Sequence, residues 1–348
     1  MGDDKQHEGA GKDKKPRAVA LLSGGLDSNL AVRMMLEQGV DVEAIAIKTP
    51  FCDFDCGKGC GHRVKQVSVE LGIPLRTVYL GEEYLKMLKK PKHGYGSGMN
   101  PCIDCRAMMY KEAKKQMEKT AADFIVTGEV LYQRPMSQHS RALQIIEDEA
   151  DTIGRVLRPL SAKHLPSIKA EEDNLIKRDL LGDIKGRSRK GQLRLAKHYG
   201  IEDPPNAAGG CLLTDPEFSK RIKDIFDYSG DVPSINDVEL LKLGRHFRMS
   251  RNAKLIVGRN MGENEKIASM FLHGDILLEA KDYVGPIGLL RSKVNEQSEV
   301  KAAASIILRY ADSPNDDRCL VVVRNDTNSL TEIYAESAKD EVISKLRI

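Results

Sequence analysis

Short apolar runs alternate with amphipathic stretches along the first third of the chain. The apolar runs are RAVALLSG, VEAIAIKT, LRTVYL and ADFIVTG, and the stretches between them carry apolar residues at helical spacing. Strands that alternate with helices in this way favour a parallel sheet whose connections cross over its faces. The sequence therefore predicts an α/β fold with a doubly wound, mostly parallel sheet, followed by a smaller α+β domain.

Changes of composition and pattern divide the 348 residues into three parts. Residues 1–16 are charged and polar, which is typical of a disordered tail rather than a signal peptide. The α/β pattern fades near residue 200, so we expect one domain over residues 17–220 and another over residues 230–348. No apolar run has the length of a membrane span, and the formal net charge is only +3. We expect a cytoplasmic protein without a membrane partner.

A glycine turn, SGGLDS at residues 23–28, follows the first apolar run directly. Its two glycines let the backbone approach a ligand, and their amides form an anion site with the N-terminus of the following helix. Ser23 and Ser28 add hydroxyl groups. The carboxylate of Asp27 would repel a phosphate unless a divalent cation lay between them, so the turn predicts a phosphate site with Mg²⁺.

This turn resembles the pyrophosphatase loop, SGGxDS, of the ATP pyrophosphatase superfamily. The resemblance implies an adenine nucleotide alpha hydrolase-like fold and an enzyme that splits ATP between its α and β phosphates while it adenylates a carbonyl oxygen. It also implies a catalytic role for Asp27 with Mg²⁺. The residues to which it assigns ATP binding are Ser23, Gly24, Gly25, Asp27 and Ser28.

Seven cysteines in a chain without an export signal favour reduced thiols with metal-binding or catalytic roles. Cys102 and Cys105 lie three residues apart in MNPCIDCR. A C-x-x-C pair suits a redox switch, half of a zinc site, part of an iron–sulfur site or two core residues. The spacing alone leaves all four readings open.

The cysteines resemble those of the tRNA sulfur-insertion branch of the superfamily, which contains 2-thiouridylases and 4-thiouridine and 2-thiocytidine synthetases. The resemblance covers about residues 17–220 and includes VTGEVL, RPL and AGGCLL. It implies catalytic roles for Cys105 and Cys211. Cys102 stands where many 2-thiouridylases have aspartate, whereas related thiolases use C-x-x-C and one distant cysteine to hold a [4Fe-4S] cluster. Cys102, Cys105 and Cys211 are therefore expected to hold such a cluster, with one iron open for sulfide. A persulfide relay through Cys105 or Cys211 is the alternative.

A second group of candidate ligands follows the spacing C-x3-C-x3-C-x-H. It consists of Cys52, Cys56, Cys60 and His62, and four such ligands can close a tetrahedral zinc site. The spacing is not that of a common zinc ribbon, so a flexible loop without metal is the alternative. Cys319 lies within the apolar run RCLVVVRN and is expected in the core.

Two basic segments are candidates for contact with RNA phosphates. The first, KGRSRKGQLRLAK, contains no acidic residue, and a solvated helix face is the alternative reading. The second contains VGRNMGEN, which is similar to part of the RNA-binding module of NFACT proteins and supports a tRNA partner. The expected contacts are Lys185, Arg187, Arg189, Lys190, Arg194, Lys197, Arg245, His246, Arg248, Arg251, Lys254 and Arg259.

Together the resemblances predict an ATP-dependent tRNA sulfurtransferase that adenylates a base carbonyl and replaces its oxygen by sulfur from an external donor, either sulfide or a carrier. The target base must leave its stack, and its pocket is expected among Lys48, Tyr95, Met99, Glu129, Tyr132, Gln133, Arg134 and Lys163. The alternatives are a synthetase that acts on a small-molecule carboxylate and a metal-sensing RNA-binding protein without activity. The sequence is compatible with a homodimer and does not decide the oligomeric state.

Overall fold

The computed structural model describes residues 15–51, 60–202, 204, 211–294, 296–314, 318–325 and 330–348, and of residues 60–62 the backbone alone. These residues form two compact units. The first holds the described chain up to Leu80, Pro91–Gly96 and, from Pro101 on, the described part of the segment that ends at residue 209. The second holds Gly81–Lys90, Ser97–Asn100 and the described residues after 210. Two short segments before Pro101 thus belong with the C-terminal part of the chain.

The first unit is organised around a parallel sheet of five described strands. In chain order they are β1 (Arg17–Leu21), β2 (Asp41–Lys48), β3 (Leu75–Tyr79), β4 (Phe124–Thr127) and β5 (Val156–Leu157). Their order in the sheet is β3-β2-β1-β4-β5, and the pairings are parallel. The predicted α/β fold with a parallel sheet is confirmed, and β1 lies at its centre.

Helices pack on both faces of this sheet. In chain order the helices before residue 210 are α1 (Leu26–Glu37), α2 (Cys60–Glu70), α3 (Glu82–Lys89), α4 (Cys102–Thr120), α5 (Ser140–Glu149), α6 (Lys169–Glu172) and α7 (Lys190–His198), with 3₁₀ turns at Ala162–His164 and Arg178–Leu180. Helix α3 belongs to the second unit. Ala18 and Ala20 of β1 share a core with Leu30 of α1, whereas Val19 shares one with Tyr110 of α4. Successive residues of β1 therefore face opposite layers, and the sheet is doubly wound as predicted.

The second unit contains an antiparallel sheet of six described strands in the order β11-β10-β8-β9-β7-β6. The strands are β6 (Arg245–Arg248), β7 (Ala253–Val257), β8 (Ile276–Ala280), β9 (Gly288–Ser292), β10 (Cys319–Arg324) and β11 (Leu330–Ala335). The helices are α8 (Pro216–Ser229), α9 (Ile235–Leu241), α10 (Met261–Ser269), α11 (Gln297–Arg309) and α12 (Asp340–Leu346), after a 3₁₀ turn at Leu212–Thr214. This sheet with its helices confirms the predicted α+β character of the C-terminal part.

Helices cover both faces of the antiparallel sheet. Leu255 of β7 packs with Ile307 of α11, whereas the next strand residue, Ile256, packs with Leu240 of α9. Cys319 of β10 is buried in the α11 layer, as the sequence predicts. No described helix combines the length and the apolar character that a membrane span requires.

A crevice is expected at the carboxyl ends of β1 and β4, which are neighbours in the first sheet. The chain leaves β1 for α1 in one helical layer and leaves β4 for α5 in the other, so the two connections diverge. Gly128 follows β4, and a Cβ there would lie 2.4 Å from the Ser28 amide nitrogen and 2.5 Å from the Asp27 carbonyl carbon. Only glycine therefore lets the end of β4 pass this close to the turn after β1.

We expect Gly128→Ala to destabilise the first unit by about 1–3 kcal/mol, because the new methyl group must displace the backbone at Asp27 and Ser28. Thermal denaturation followed by circular dichroism measures the loss. Gly262→Ala is the matched control, since a Cβ at this position in α10 meets no atom closer than 3.6 Å. Equal melting of Gly128→Ala and the unaltered chain would show that the two connections are not in close contact.

Candidate functional site

The turn at residues 23–28 joins β1 to α1 at the crevice. The Ser28 hydroxyl donates to the Gly25 carbonyl oxygen at 3.0 Å and accepts from the Ser23 amide at 3.3 Å. Gly24 has a φ of +76°, and a Cβ there would lie 3.0 Å from the backbone of α2. Ser28 is buried and shapes the turn, whereas Ser23 is exposed at its surface.

Asp27 carries an oxygen atom that the described protein groups leave unpaired. Its Oδ2 accepts from Gln133 Nε2 at 3.1 Å, but its Oδ1 is buried and has no hydrogen-bond partner among the described residues. Burial raises the pKa of Asp27, while the Gln133 hydrogen bond and the charges of Arg189 and Arg134 lower it to a smaller extent. A buried carboxylate oxygen without a partner, beside a predicted phosphate site, fits a ligand to Mg²⁺.

The first basic segment lies beside the loop that follows β4. The Gly186 amide donates to the Leu131 carbonyl oxygen at 2.7 Å, and Lys185 forms an isolated bridge with Leu131. The segment then brings Arg189 close enough to Asp27 to act on its pKa. Arg189 is thus associated with the glycine turn, while the neighbouring cations at the surface are Lys185, Arg187, Lys190, Arg194 and Lys197.

Cys102 and Cys105 lie in the first turn of α4, after Pro101. The Cys105 amide donates to the Pro101 carbonyl oxygen at 2.8 Å, so the two thiols are one helical turn apart. Both residues are half-buried. Burial raises the pKa of the Cys102 thiol, and the charges of Arg106 and Arg134 lower it to a smaller extent.

Asp104, between the two cysteines, fixes the chain that leads into α4. Its Oδ1 accepts from the Lys92 amide at 2.8 Å, and its Oδ2 accepts from the His93 amide at 3.1 Å. Asp104 is buried. The position of the cysteine pair is therefore set by hydrogen bonds to the loop before α4 as well as by the helix.

Arg134 acts on both the glycine turn and the cysteine pair. Its positive charge lowers the pKa of Asp27 and also that of Cys102. The loop that carries it is held locally, because the Arg134 amide donates to Gln138 Oε1 at 3.0 Å and the Gln138 amide donates back to the Arg134 carbonyl oxygen at 3.0 Å. The turn after β1 and the start of α4 therefore share one basic neighbour within the first unit.

A buried ionic network includes Arg106, the residue that follows Cys105 in α4. Glu129, only 3% exposed, accepts from the Tyr110 hydroxyl and from Arg158 Nε at 3.2 Å, and it forms an ion pair with Arg106 Nε at 3.7 Å. Arg158 also donates to Glu147 Oε1 at 2.6 Å. Burial would raise the pKa of Glu129, but Arg106 and Arg158 together lower it, so the carboxylate stays charged. Glu129 is thus a structural ion here, not an exposed polar group of a base pocket.

The other expected pocket groups are scattered. Gln133 and Arg134 lie at Asp27, as described above. Lys163 donates to the Asp179 carbonyl oxygen at 2.9 Å, and Met99 belongs to the second unit. Tyr95 and Tyr132 are exposed. Sequence reasoning missed Gln192 of α7, which is fully buried and close enough to Asp27 to lower the pKa of that carboxyl, and no local pattern distinguishes it.

The metal-site predictions are not tested by the described residues. Cys211 lies in the second unit, where its carbonyl oxygen accepts from the Thr214 amide at 2.8 Å. Among the residues described, no three His, Cys, Asp or Glu side chains are grouped as a metal site requires. The three-cysteine cluster stays a prediction. The side chains of the second candidate group, Cys52, Cys56, Cys60 and His62, lie outside the described residues.

Most cations expected to contact RNA in the second unit have partners inside the protein. Arg248 pairs with Asp224 at 2.6 Å, and Arg259 pairs with Glu263. Arg245 donates to the Gly258 carbonyl oxygen at 3.2 Å. The expectation that His246 contacts RNA is not supported, because His246 is 1% exposed and burial lowers its pKa well below the ordinary value.

The VGRNMGEN motif also has a structural role in the second unit. Asn260 caps α10 by accepting from the Glu263 amide at 3.0 Å. Asn264 Oδ1 accepts from the Ile287 amide at 3.1 Å, and a Cβ at Gly258 would lie 2.0 Å from that oxygen. The motif therefore fixes the start of α10 against the chain before β9.

We expect Arg158→Met to destabilise the first unit by about 3–5 kcal/mol, because it leaves Glu129 buried with one distant cation. The exposed Arg155→Met is the control and should change the free energy of unfolding by less than about 0.5 kcal/mol. Urea denaturation of both variants provides the comparison. If Arg158→Met unfolds at the same urea concentration as the control, Glu129 does not depend on this partner.

The two ends of the chain match different family models. Residues 14–170 match the model described as thiamine biosynthesis protein (ThiI), and residues 244–347 match that of the NFACT protein RNA binding domain. The tRNA-specific 2-thiouridylase MnmA of Syntrophotalea carbinolica is 30% identical over 127 residues, which are 34% of this chain and 35% of that protein. The chain spans 35 to 64% of the length of the first three curated relatives that it matches.

Two solved structures are also similar in part. A 4-thiouridine synthetase in complex with RNA and bound ATP is 23% identical, with a TM-score of 0.34 over 65% of this chain and 52% of that one. The U34-tRNA thiolase NcsA from Methanococcus maripaludis with its [4Fe-4S] cluster is 18% identical, with a TM-score of 0.33 over 66% of this chain and 72% of that one. Residues 14–170 thus resemble the ThiI proteins of the ATP pyrophosphatase superfamily and residues 244–347 resemble the NFACT RNA-binding domain, which confirms both predicted resemblances.

Proposed function

We propose that this chain is an ATP-dependent tRNA sulfurtransferase, which adenylates a base carbonyl in tRNA and replaces its oxygen by sulfur. The observation that supports this most is the shared position of Arg134, whose charge acts on Asp27 of the glycine turn and on Cys102 of the cysteine pair. The proposed nucleotide site and the proposed thiol site would therefore be neighbours within one unit. The curated relatives, which are tRNA 2-thiouridylases, support the same class of reaction.

The first half-reaction requires a leaving group on the base. A base carbonyl oxygen is a poor leaving group, and its attack on the α phosphorus of ATP converts it to an AMP ester while pyrophosphate departs. The amides of Gly24 and Gly25 and the N-terminus of α1 would bind the pyrophosphate. Arg134 and Arg189 would offset its negative charge.

Asp27 is the residue that fits Mg²⁺. Its buried Oδ1 has no partner among the described residues, and a divalent cation would satisfy it. Mg²⁺, when bound, neutralises charge on the phosphate oxygens of the nucleotide. Gln133 would hold the other carboxylate oxygen and so orient Asp27 for this role.

The second half-reaction requires a sulfur nucleophile, and we propose that Cys102, Cys105 and Cys211 provide its site as ligands of a [4Fe-4S] cluster. Cys102 and Cys105 fit two ligands of one cluster, because they lie one helical turn apart at the start of α4. A cluster held by three cysteines supplies an iron with an open position for sulfide. The persulfide relay is the competing chemistry, and it needs Cys105 and Cys211 but not Cys102.

The tRNA would be held by surface cations. In the first unit Lys185, Arg187 and Lys190 are exposed beside the loop that follows β4. In the second unit the similarity to the NFACT RNA-binding domain supports RNA contact, with His246 left out because it is buried. An external sulfur donor completes the proposed reaction.

Thionucleosides in tRNA test the proposed function. The purified chain with unmodified tRNA, Mg²⁺-ATP and sulfide should form a thionucleoside that mass spectrometry detects after digestion. Asp27→Asn should lower this activity by about 100-fold or more, because it removes the anionic ligand at the phosphate site.

The thermal midpoint of the Asp27→Asn variant at pH 7 should not fall. Burial raises the pKa of Asp27, so the charged form costs folding free energy above that pKa.

Asp173→Asn removes an exposed carboxylate of the same unit and should keep both activity and stability. Absence of any thionucleoside with every tRNA supplied, from a chain that is folded and binds ATP, would refute the proposed function.

The iron content of the purified chain distinguishes the [4Fe-4S] cluster from the persulfide relay. After anaerobic purification the chain should contain about four iron atoms, and Cys102→Ser should lose both iron and thiolation. Cys319→Ala, which changes a buried cysteine of β10, should retain both. With a persulfide donor in place of sulfide, thiolation that persists in Cys102→Ser without iron would favour the relay and contradict the cluster.

A further inference from the structure

A cavity of about 280 Å³ lies within the second unit, on the face of its sheet where α9 packs. Alternate residues of a strand point to the same side, so β6, β7 and β9 each direct side chains into it. These are His246 and Arg248, Lys254 and Ile256, and Arg291. Helices α8 and α9 supply the opposite wall, and the turn between β6 and β7 supplies part of the rim.

The cavity has an excess of positive charge. Five cations line it, namely Arg248, Arg251, Lys254, Arg291 and Lys293, and three carboxylates pair with them. Asp224 is shared by Arg248 at 2.6 Å and Lys254 at 3.1 Å. Asp237 and Asp275 each lie 2.6 Å from Arg291. These pairs hold the walls and leave two cations unmatched by a carboxylate.

The two unmatched cations lie at the rim. Arg251 is exposed, and no carboxylate of the described residues pairs with it. Lys293 is also exposed, and among the described residues its Nζ donates to the Ser229 carbonyl oxygen, at 3.4 Å, and to no carboxylate. Both lie at the open side of the cavity and suit an anionic group that arrives from solvent.

Part of the lining of the cavity is apolar and aromatic. Leu240, Leu241 and Ile256 form buried surface there, and Tyr228 remains 41% exposed. Arg248 lies over the Tyr228 ring, with its guanidinium carbon 4.5 Å from the ring centre. This cation lies over one face of the ring, and the residue as a whole remains partly exposed.

An aromatic platform with cations at the rim suits a nucleotide whose base is out of its stack. Bases in single-stranded RNA stack on aromatic side chains, while their phosphates contact Arg and Lys. At about 280 Å³ the cavity lies just below the usual range for ligand pockets, about 300–1,000 Å³, so a single nucleotide is the largest part of an RNA that we expect it to take.

We propose that this cavity binds one unpaired nucleotide of an RNA, with its base against Tyr228 and its phosphate at Arg251 and Lys293. This proposal rests on the proposed function in one respect, namely that the partner is RNA. It adds a nucleotide site in the second unit to the ATP site proposed at Asp27. The unpaired nucleotide has two sources, a single-stranded end and an internal bulge.

Fluorescence anisotropy with the full-length chain tests this site. The probes are three labelled RNA hairpins of equal stem length: one with a single-stranded overhang, one with an internal bulge and one fully paired and blunt. At least one of the first two should bind about tenfold more tightly than the blunt hairpin, since stacking of one base is worth about 1–3 kcal/mol. The hairpin that does so identifies the source of the nucleotide.

Two pairs of variants locate the binding. Arg251→Gln should weaken binding of the preferred hairpin about tenfold and leave the blunt hairpin within about twofold, whereas Arg318→Gln, an exposed cation outside the cavity, should leave both within about twofold. Tyr228→Leu should lose the preference for the unpaired nucleotide, and Tyr228→Phe should retain it because the ring is kept. Circular dichroism confirms that each variant is folded.

Equal affinity for all three hairpins would overturn the proposal. Equal losses in Arg251→Gln and Arg318→Gln would do so too, because they would indicate general attraction to phosphate. The outcome is independent of sulfur insertion. A chain that forms no thionucleoside but keeps the preference would refute the proposed function and not this site, and an active chain without the preference would refute this site alone.

Discussion

The contact between the end of β4 and the turn after β1 is the constraint on which the site of the first unit depends. The backbone at Gly128 lies so close to Asp27 and Ser28 that no side chain fits between them. The two connections then diverge into opposite helical layers, which opens the crevice beside the turn. Arg134 and Gln133 reach the turn because their loop starts from this contact. The site proposed for the first unit thus depends on the lack of a side chain at Gly128.

Two carboxylates of the first unit, Glu129 and Asp27, show how the surroundings of a carboxylate decide its role. Glu129 is surrounded by Arg106, Arg158 and Tyr110, so its pKa is lowered and it serves as a fixed ion. For Asp27 the burial effect exceeds the attraction of nearby cations, so its pKa is raised and one of its oxygens stays unpaired. Each carboxylate has one buried oxygen without a hydrogen-bond partner among the described residues, but Glu129 Oε1 forms an ion pair with Arg106 at 3.7 Å, whereas Asp27 Oδ1 has no such ion pair there.

Features that depend on local pattern could be predicted from the sequence. The strands, the glycine turn and the two resemblances are of this kind, because each is carried by residues adjacent in the chain. Features that depend on partners distant in the chain could not. The pairing of Arg248 with Asp224 joins β6 to α8, and the burial of His246 follows from which face of β6 it occupies. A count of basic residues does not separate cations used for folding from cations at the surface, such as Arg251.

The assignment of α3 to the second unit has a consequence for how this protein can be divided. Tyr84, Leu85 and Leu88 of α3 are buried, and α3 comes between β3 and α4 of the first unit in the chain. A fragment ending near residue 220 would keep this helix but lose most of the unit to which it belongs, so its apolar side would favour self-association. The second unit is therefore built from segments that are not contiguous in the chain, and no single cut in the chain separates it from the first unit.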